Sequence, residues 1–466
     1  MHATQRLLQS HRAGAGEPLR VLAASGQLGY GIPEPALRRG LQRRPHFIGC
    51  DMGSVDPGPY YLGSGTMAAP RAMARRDLAL VLGAALEAGV PLVSGSAGTA
   101  GARPHLDATR ELLCEIAREH GWSFRLATGG SDVPVEAVLA ARRAGRLEPI
   151  GPIPEPAEED IRACAHIVGQ CGTETLERAF ATDPDVLLAG RACDTAIFAT
   201  LPAMLGYAPG PSLHLAKIVE CTSLCCTPGG RDAMLATLDP EGFVLESMNP
   251  DAHATPASVA AHALYEQADP FEVEEPQGTL DLRGARYTAL DAHRTRVEGA
   301  AFRPRARATL KIEGAVRVGA RAVLLAGVAD PVLLRVLPDV LAAVEVKVRA
   351  LVPGAWQVYP RIYGQGAVCP LPPAQRSAHE AGLVLEFVAA EAEFARTCAA
   401  VFKQNLLHHG YPGRIATAGN VAFAFTPSEL DAHEAWRFAL YHVMRDAPLD
   451  QIFSVQAHQV TRGHLH

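Results

Sequence analysis

The run Asp51-Met-Gly-Ser54-Val-Asp56-Pro-Gly-Pro-Tyr60-Tyr-Leu-Gly-Ser-Gly65 is the densest cluster of reactive side chains in the 466-residue chain. Two carboxylates, two hydroxyls and two phenols follow a short apolar stretch, and glycines and prolines restrict the loop's path. Asp51 and Asp56 suit a hard divalent cation through oxygen ligands, general acid and base work on a carboxylic substrate, or capping of a turn. Ser94-Gly-Ser96-Ala-Gly-Thr99-Ala-Gly101 sets backbone amides at a helix start, where a carboxylate or a CoA phosphate is favoured. It matches neither the dinucleotide fingerprint nor the P-loop. Arg191 offers a fork for a carboxylate, and Asp194 stands where a helix N-cap would. His214, Lys217 and Glu220 recur at three-residue spacing and share one helix face. Lys217 between an imidazole and a carboxylate suits a base, an electrophile or a Schiff-base nucleophile, or else an exposed stripe. It is one of four lysines, with Lys311, Lys347 and Lys403, among 43 basic residues.

The elements that must position these groups recur in a rhythm. Apolar runs at Leu19–Ala24, Phe47–Cys50, Pro91–Val93, Phe124–Ala127, His166–Val168 and Val186–Ala189 each end in a Gly, Ser or Asp cluster. Ser25 and Asp132 lie in two of these clusters. Helical periodicity follows, as in Arg71–Ala88 and Asp107–Glu119. Strands alternating with helices predict an α/β fold with a mostly parallel sheet, whose ligands bind at the strand carboxyl ends. Ser25, Ser54, Tyr60, Ser94, Ser96, Thr99, Asp132, Arg191, Asp194 and His214 are the expected substrate contacts. Asp51, Asp56, Lys217 and Glu220 are the expected catalytic set. After about residue 235, successive short strands include Val344–Arg349, Trp356–Ile362 and Leu383–Val388. Helices are expected near Pro331–Val344, Ala389–Leu407 and Ser428–Val443, which together predict an α+β domain. The expected division is a flexible leader over 1–18, an α/β domain over 19–270 and the α+β domain over 271–466.

A net charge of −6 provides no basic footprint for nucleic acid. No apolar run reaches membrane-spanning length, and the first residues lack a secretory apolar core. Ten cysteines in such a chain predict reduced thiols in a cytoplasm. Cys221, Cys225 and Cys226 do not follow zinc or iron–sulfur spacing. The cofactor is open: a divalent cation at Asp51 and Asp56 is the one the residues suit. A symmetric homo-oligomer is the default expectation.

The stretch Gly49–Gly65 resembles the acyclic terpene utilisation AtuA family. The resemblance continues through Gly190-Arg-Ala-Cys-Asp194-Thr-Ala, His214-Leu-Ala-Lys217-Ile-Val-Glu220-Cys221, Tyr363-Gly364, Tyr411-Pro-Gly413-Arg414, Ala418-Gly-Asn420 and Tyr441-His442. It covers about residues 19 to 443, with Met52 and Cys193 standing where the family more commonly has smaller residues. It implies catabolism of a small carboxylic acid or an acyl-CoA thioester, and a small ferredoxin-like domain beside or fused to the main one. The residues and the resemblance together point to a lyase of the hydratase kind. The alternatives are a non-catalytic acyl-CoA- or carboxylate-binding subunit and an oxidoreductase.

Overall fold

A computed structural model describes residues 1–264, 268–376, 378–415 and 420–466. The chain forms two compact units, Met1–Ala315 with Phe438–His466, and Val316–Arg437. Among the described residues, no helix is long and apolar enough to cross a membrane.

The first unit holds strands β1 (Leu19–Ser25), β2 (Phe47–Asp51), β3 (Leu92–Gly95), β4 (Ser123–Gly129), β5 (Leu147–Pro149), β6 (His166–Gly169), β7 (Val186–Ala189), β8 (Met234–Leu238) and β9 (Gly242–Ser247). Its main sheet runs in the order Arg286–Ala289, Arg294–Glu298, β9, β8, β1, β2, β3, β7, β4, Val455–Thr461, His464–Leu465. The central run from β1 to β4 is parallel, and antiparallel strands extend it on both sides. Strands β2, β3 and β7 are buried along their whole length, as a sheet covered on both faces requires. Alternate residues serve opposite cores. Leu22 and Ile48 pack with Leu78, Leu82 and Leu113 on one face, and Val21 and Phe47 with Leu176, Ile197 and Phe198 on the other.

Strand β7 inserts between β3 and β4, so the sheet reverses its winding beside β3, the position where open parallel sheets commonly place a ligand. Two loops meet there. Gly101, at φ +70°, lies so close to Arg191 that a Cβ would stand 2.0 Å from its backbone nitrogen. Only glycine fits.

Several expectations change. The fifth apolar run, β6, does not join the parallel sheet. It pairs antiparallel with Ile312–Ala315 of the long strand Thr309–Val328. The leader carries a helix, Ala3–Ser10, with Ala3, Thr4 and Leu7 buried. Asp185 accepts the Ala3 amide at 2.8 Å, and Thr4 donates to the Pro184 carbonyl at 2.6 Å. The expected break at 270/271 falls inside the first unit, because Arg286–Ala289 and Arg294–Glu298 extend its sheet.

The second unit runs strand (from Val316 of Thr309–Val328), helix Pro331–Leu351, strand Trp356–Tyr363, strand Ala381–Ala389, helix Ala392–Leu407, strand (Leu430–Arg445, to Arg437). Numbered within the unit, the strands lie in the order 2-3-1-4, the split β-α-β-β-α-β arrangement called ferredoxin-like. One core joins Leu337, Val344 and Val348 to Ala399 and Phe402 over Leu324, Leu385 and Phe387. Val344–Arg349, expected as a strand, lies inside the first helix, where Val344 and Val348 share the core-facing stripe. Ser428–Val443, expected as a helix, is mostly strand. Burial of every second residue at Leu440, His442 and Met444 reveals the period of two.

Candidate active site

Four segments distant in sequence close on one cavity of about 350 Å³ within the first unit. The β1 end supplies Ser25, Gly26 and Gln27. The β2 end supplies Asp51, Ser54 and Asp56. Asp194 begins the helix Asp194–Met204, and Glu220 caps the end of Pro209–Val219. Gly26 allows the β1 loop to lie on this second helix end: a Cβ there would stand 2.3 Å from the Glu220 carbonyl oxygen.

A residue the sequence reading passed over holds the β1 loop in shape. Asp77, fully buried on the helix Arg71–Ala88, accepts the amides of Gly29 (3.0 Å), Gly31 (2.9 Å) and Ile32 (3.0 Å). Each buried donor left unpaired costs about 1–3 kcal/mol. Asp77→Ala is therefore expected to lower unfolding free energy by several kcal/mol in a urea titration. An unchanged midpoint would show that the loop holds its shape without this carboxylate.

Asp51 is 4% exposed. One carboxylate oxygen accepts the Gly53 amide at 3.2 Å, and the other, Oδ1, has no hydrogen-bond partner. Asp194 Oδ1 is likewise buried without one, 3.8 Å from Arg191 Nη1. No side-chain cap is formed at this helix start, so Asp194 is not the N-cap the sequence suggested. Lys217 Nζ donates to Glu220 Oε1 at 2.6 Å. Asp56 is exposed at the rim and accepts the Ser54 hydroxyl at 2.5 Å. Among the described residues, no group of three His, Cys, Asp or Glu side chains is arranged to hold a metal ion.

Arg191 takes a different role from the one expected. Its Nε and Nη2 donate to Glu313 at 3.0 and 3.4 Å, and Nη1 donates to Ser96 Oγ at 3.2 Å. The fork is therefore filled by an internal carboxylate. Glu313 also pairs with Lys311 (3.0 Å), which donates to the Tyr441 hydroxyl at 3.0 Å. The remaining expected contacts lie away from the cavity walls. Ser94, Ser96 and Thr99 belong to a loop buried throughout its length, so it is no open anion cradle. Ser94 sits beside the Cys50 thiol, and Ser96 braces Arg191. Asp132 accepts the Arg103 amide at the start of the helix Arg103–His120. Tyr60 packs edge-on against Tyr61. His214 points into the core, where Nε2 is 3.2 Å from the Tyr287 hydroxyl, and burial pushes its pKa down to about 3. Of the family-like segments, Tyr363 and Tyr411 belong to the second unit, and residues 418 and 419 lie outside the described ones.

Charge balance sets the protonation of the cluster. Asp51, Asp194, Glu220, Glu275 and Glu313 outnumber Arg191, Lys217 and Lys311. Against the upward push of burial, Arg191 and Lys311 keep Glu313 ionised, below its ordinary range. Burial, reinforced by the Asp194 charge, lifts Asp51 well above the usual carboxylate range despite Arg191. Asp194 is raised mainly by burial. Burial, with Asp194 and Glu275 nearby, outweighs Lys217 and carries Glu220 up to about 8.

Glu275, also missed, accepts the Thr195 hydroxyl at 2.7 Å and the Cys193 thiol at 3.4 Å; burial lifts it to about 7. It lines a second cavity of about 770 Å³ together with Cys193 and Lys311. A carboxyl that moves from an ordinary 4.5 to about 7 on folding binds its proton more tightly in the native state. Its stabilising contribution is full below about pH 4.5 and fades as pH rises through 7. Glu275→Gln should flatten that part of the stability-versus-pH curve. An identical slope in wild type and variant would contradict the assignment.

No family model matches the chain, and neither a curated protein nor a solved structure matches it.

Proposed function

We propose that the protein is a catabolic enzyme acting on a small carboxylic acid or its acyl-CoA thioester, a lyase that adds or removes water. The observation that carries this reading is the convergence of Asp51, Asp194 and Glu220 on one cavity, with burial favouring their protonated forms beside Lys217. Protonated and ionised carboxyls held together at neutral pH are the equipment for moving a proton next to a carbonyl. In the dehydration direction, Asp51 and Asp194 share one proton, and the ionised member takes the proton on the carbon next to the carboxyl or thioester carbon. The carbon–oxygen bond of the β-hydroxyl breaks, Glu220 gives its proton to the leaving oxygen, and water departs as the double bond forms. Lys217 orients Glu220 and steadies its carboxylate after transfer.

The resemblance to the AtuA family supports this reading, as does the ferredoxin-like topology of the second unit. The test is proton exchange. Incubated in heavy water with β-hydroxybutyrate or its CoA thioester, the enzyme should place deuterium at the carbon next to the carbonyl. Absence of exchange and of dehydration with both compounds, together with ligand-dependent melting shifts, would favour a binding subunit instead.

A further inference from the structure

Among the described residues, the walls of the 350 Å³ cavity carry one cation. Arg231, in the loop Pro228-Gly-Gly-Arg231, lines it together with four carboxyls, Asp51, Asp56, Asp194 and Glu220. Arg191, Lys217 and Lys311 are each tied to an internal carboxylate, and none of them lines these walls. Arg231 differs from all three. It is exposed, its guanidinium donates only weakly to Gln27 Oε1 at 3.4 Å and lies 5.7 Å from the centre of the Tyr30 ring, and among the described residues no carboxylate pairs with it. A guanidinium keeps its charge at any physiological pH, and its planar fork matches a carboxylate.

The rest of the cavity determines what the other end of such a ligand can be. Besides the carboxyls, the walls offer the hydroxyls of Ser25, Ser54 and Thr222, and the apolar side chains Ile32 and Leu224. They suit a hydroxyl group. A second carboxylate would face the negative charge that Asp51 and Asp194 share, with no second cation on the walls among the described residues to meet it, and like charges so placed repel.

We infer that Arg231 is the anion anchor of this cavity, and that the site selects a hydroxylated monocarboxylate, as the free acid, over a dicarboxylate. The inference rests on the function proposed above and narrows its substrate class. A thioester carries no charge at its acyl carbonyl for Arg231 to hold.

The test is calorimetric titration of the full chain with β-hydroxybutyrate, malate, butylene glycol and inorganic phosphate, for wild type, Arg231→Gln and Arg231→Lys. β-Hydroxybutyrate should bind the wild type more tightly than malate does. Arg231→Gln should weaken it about 10- to 100-fold, the range for losing a hydrogen bond to a charged group. Arg231→Lys should recover part of that loss, and the uncharged glycol should be indifferent to both changes. The exposed side chain is not part of the fold's core, so melting temperatures should stay level. Equal binding of β-hydroxybutyrate by wild type and Arg231→Gln would overturn the anchor, as would failure of the wild type to bind it. Malate binding as tightly as β-hydroxybutyrate would overturn the selectivity. Phosphate competing equally well with β-hydroxybutyrate would overturn carboxylate recognition in favour of a general anion site. The assay needs no turnover, so Arg231-dependent binding without proton exchange would remove the lyase reading and leave the anchor standing.

Discussion

Asp51→Asn should leave the protein folded and reduce proton exchange and dehydration by about 10²–10⁴-fold, the usual contribution of a positioned acid or base. The asparagine oxygen can still accept the Gly53 amide that Asp51 Oδ2 now accepts at 3.2 Å. What disappears is the ability to take up and release a proton at Oδ1, the atom without a partner inside the cavity. A level melting temperature with lost exchange would therefore locate the defect in chemistry. Lys217→Ala should also reduce turnover, because Glu220 would lose the ammonium that accompanies its ionised form at 2.6 Å. Full turnover in both variants would remove these residues from the mechanism.

Glu313→Ala is expected to lower stability by about 3–5 kcal/mol, the cost of breaking a buried ion pair from one side. Arg191 is 2% exposed and Glu313 fully buried, so removing the carboxylate leaves the guanidinium uncompensated by its closest partner, with Lys311 beside it. Glu313→Gln should fall between, since an amide oxygen can accept one of the lost hydrogen bonds but supplies no charge. Guanidinium chloride titration reads the difference as a shift of the unfolding midpoint. Midpoints within a few tenths of a kcal/mol of wild type would show that neither cation depends on Glu313.

How much of this was visible in advance differs by element. β1, β2, β3, β4 and β7 were marked by apolar runs closed by small polar residues, and their parallel pairing follows from the helices between them. β6 bears the same mark, yet it pairs with Ile312–Ala315. A run of four residues satisfies either sheet, and periodicity does not name a partner. Ser428–Val443 reads as helical by composition, but the burial of alternate residues shows a strand. In the site, Asp51, Asp56, Asp194 and Glu220 were all named as candidates, and all line the cavity. Asp77 was passed over because one acid inside a helical pattern looks like surface. Glu313 had a faint signal: Lys311 and Glu313 stand two apart in a strand, flanking Ile312, hence on one side of it.

Local chemistry by itself determined the alternation of strand, glycine turn and helix, because backbone freedom and apolar spacing act over a few residues. It also determined which side chains could exchange protons. Only the tertiary structure decided their roles. Burial and charge compensation depend on groups more than a hundred positions apart, and these make Arg191 the partner of Glu313 and, among the described residues, leave Arg231 without a carboxylate partner. They also favour a proton on Asp51, since a carboxyl's affinity for a proton is a property of everything packed around it.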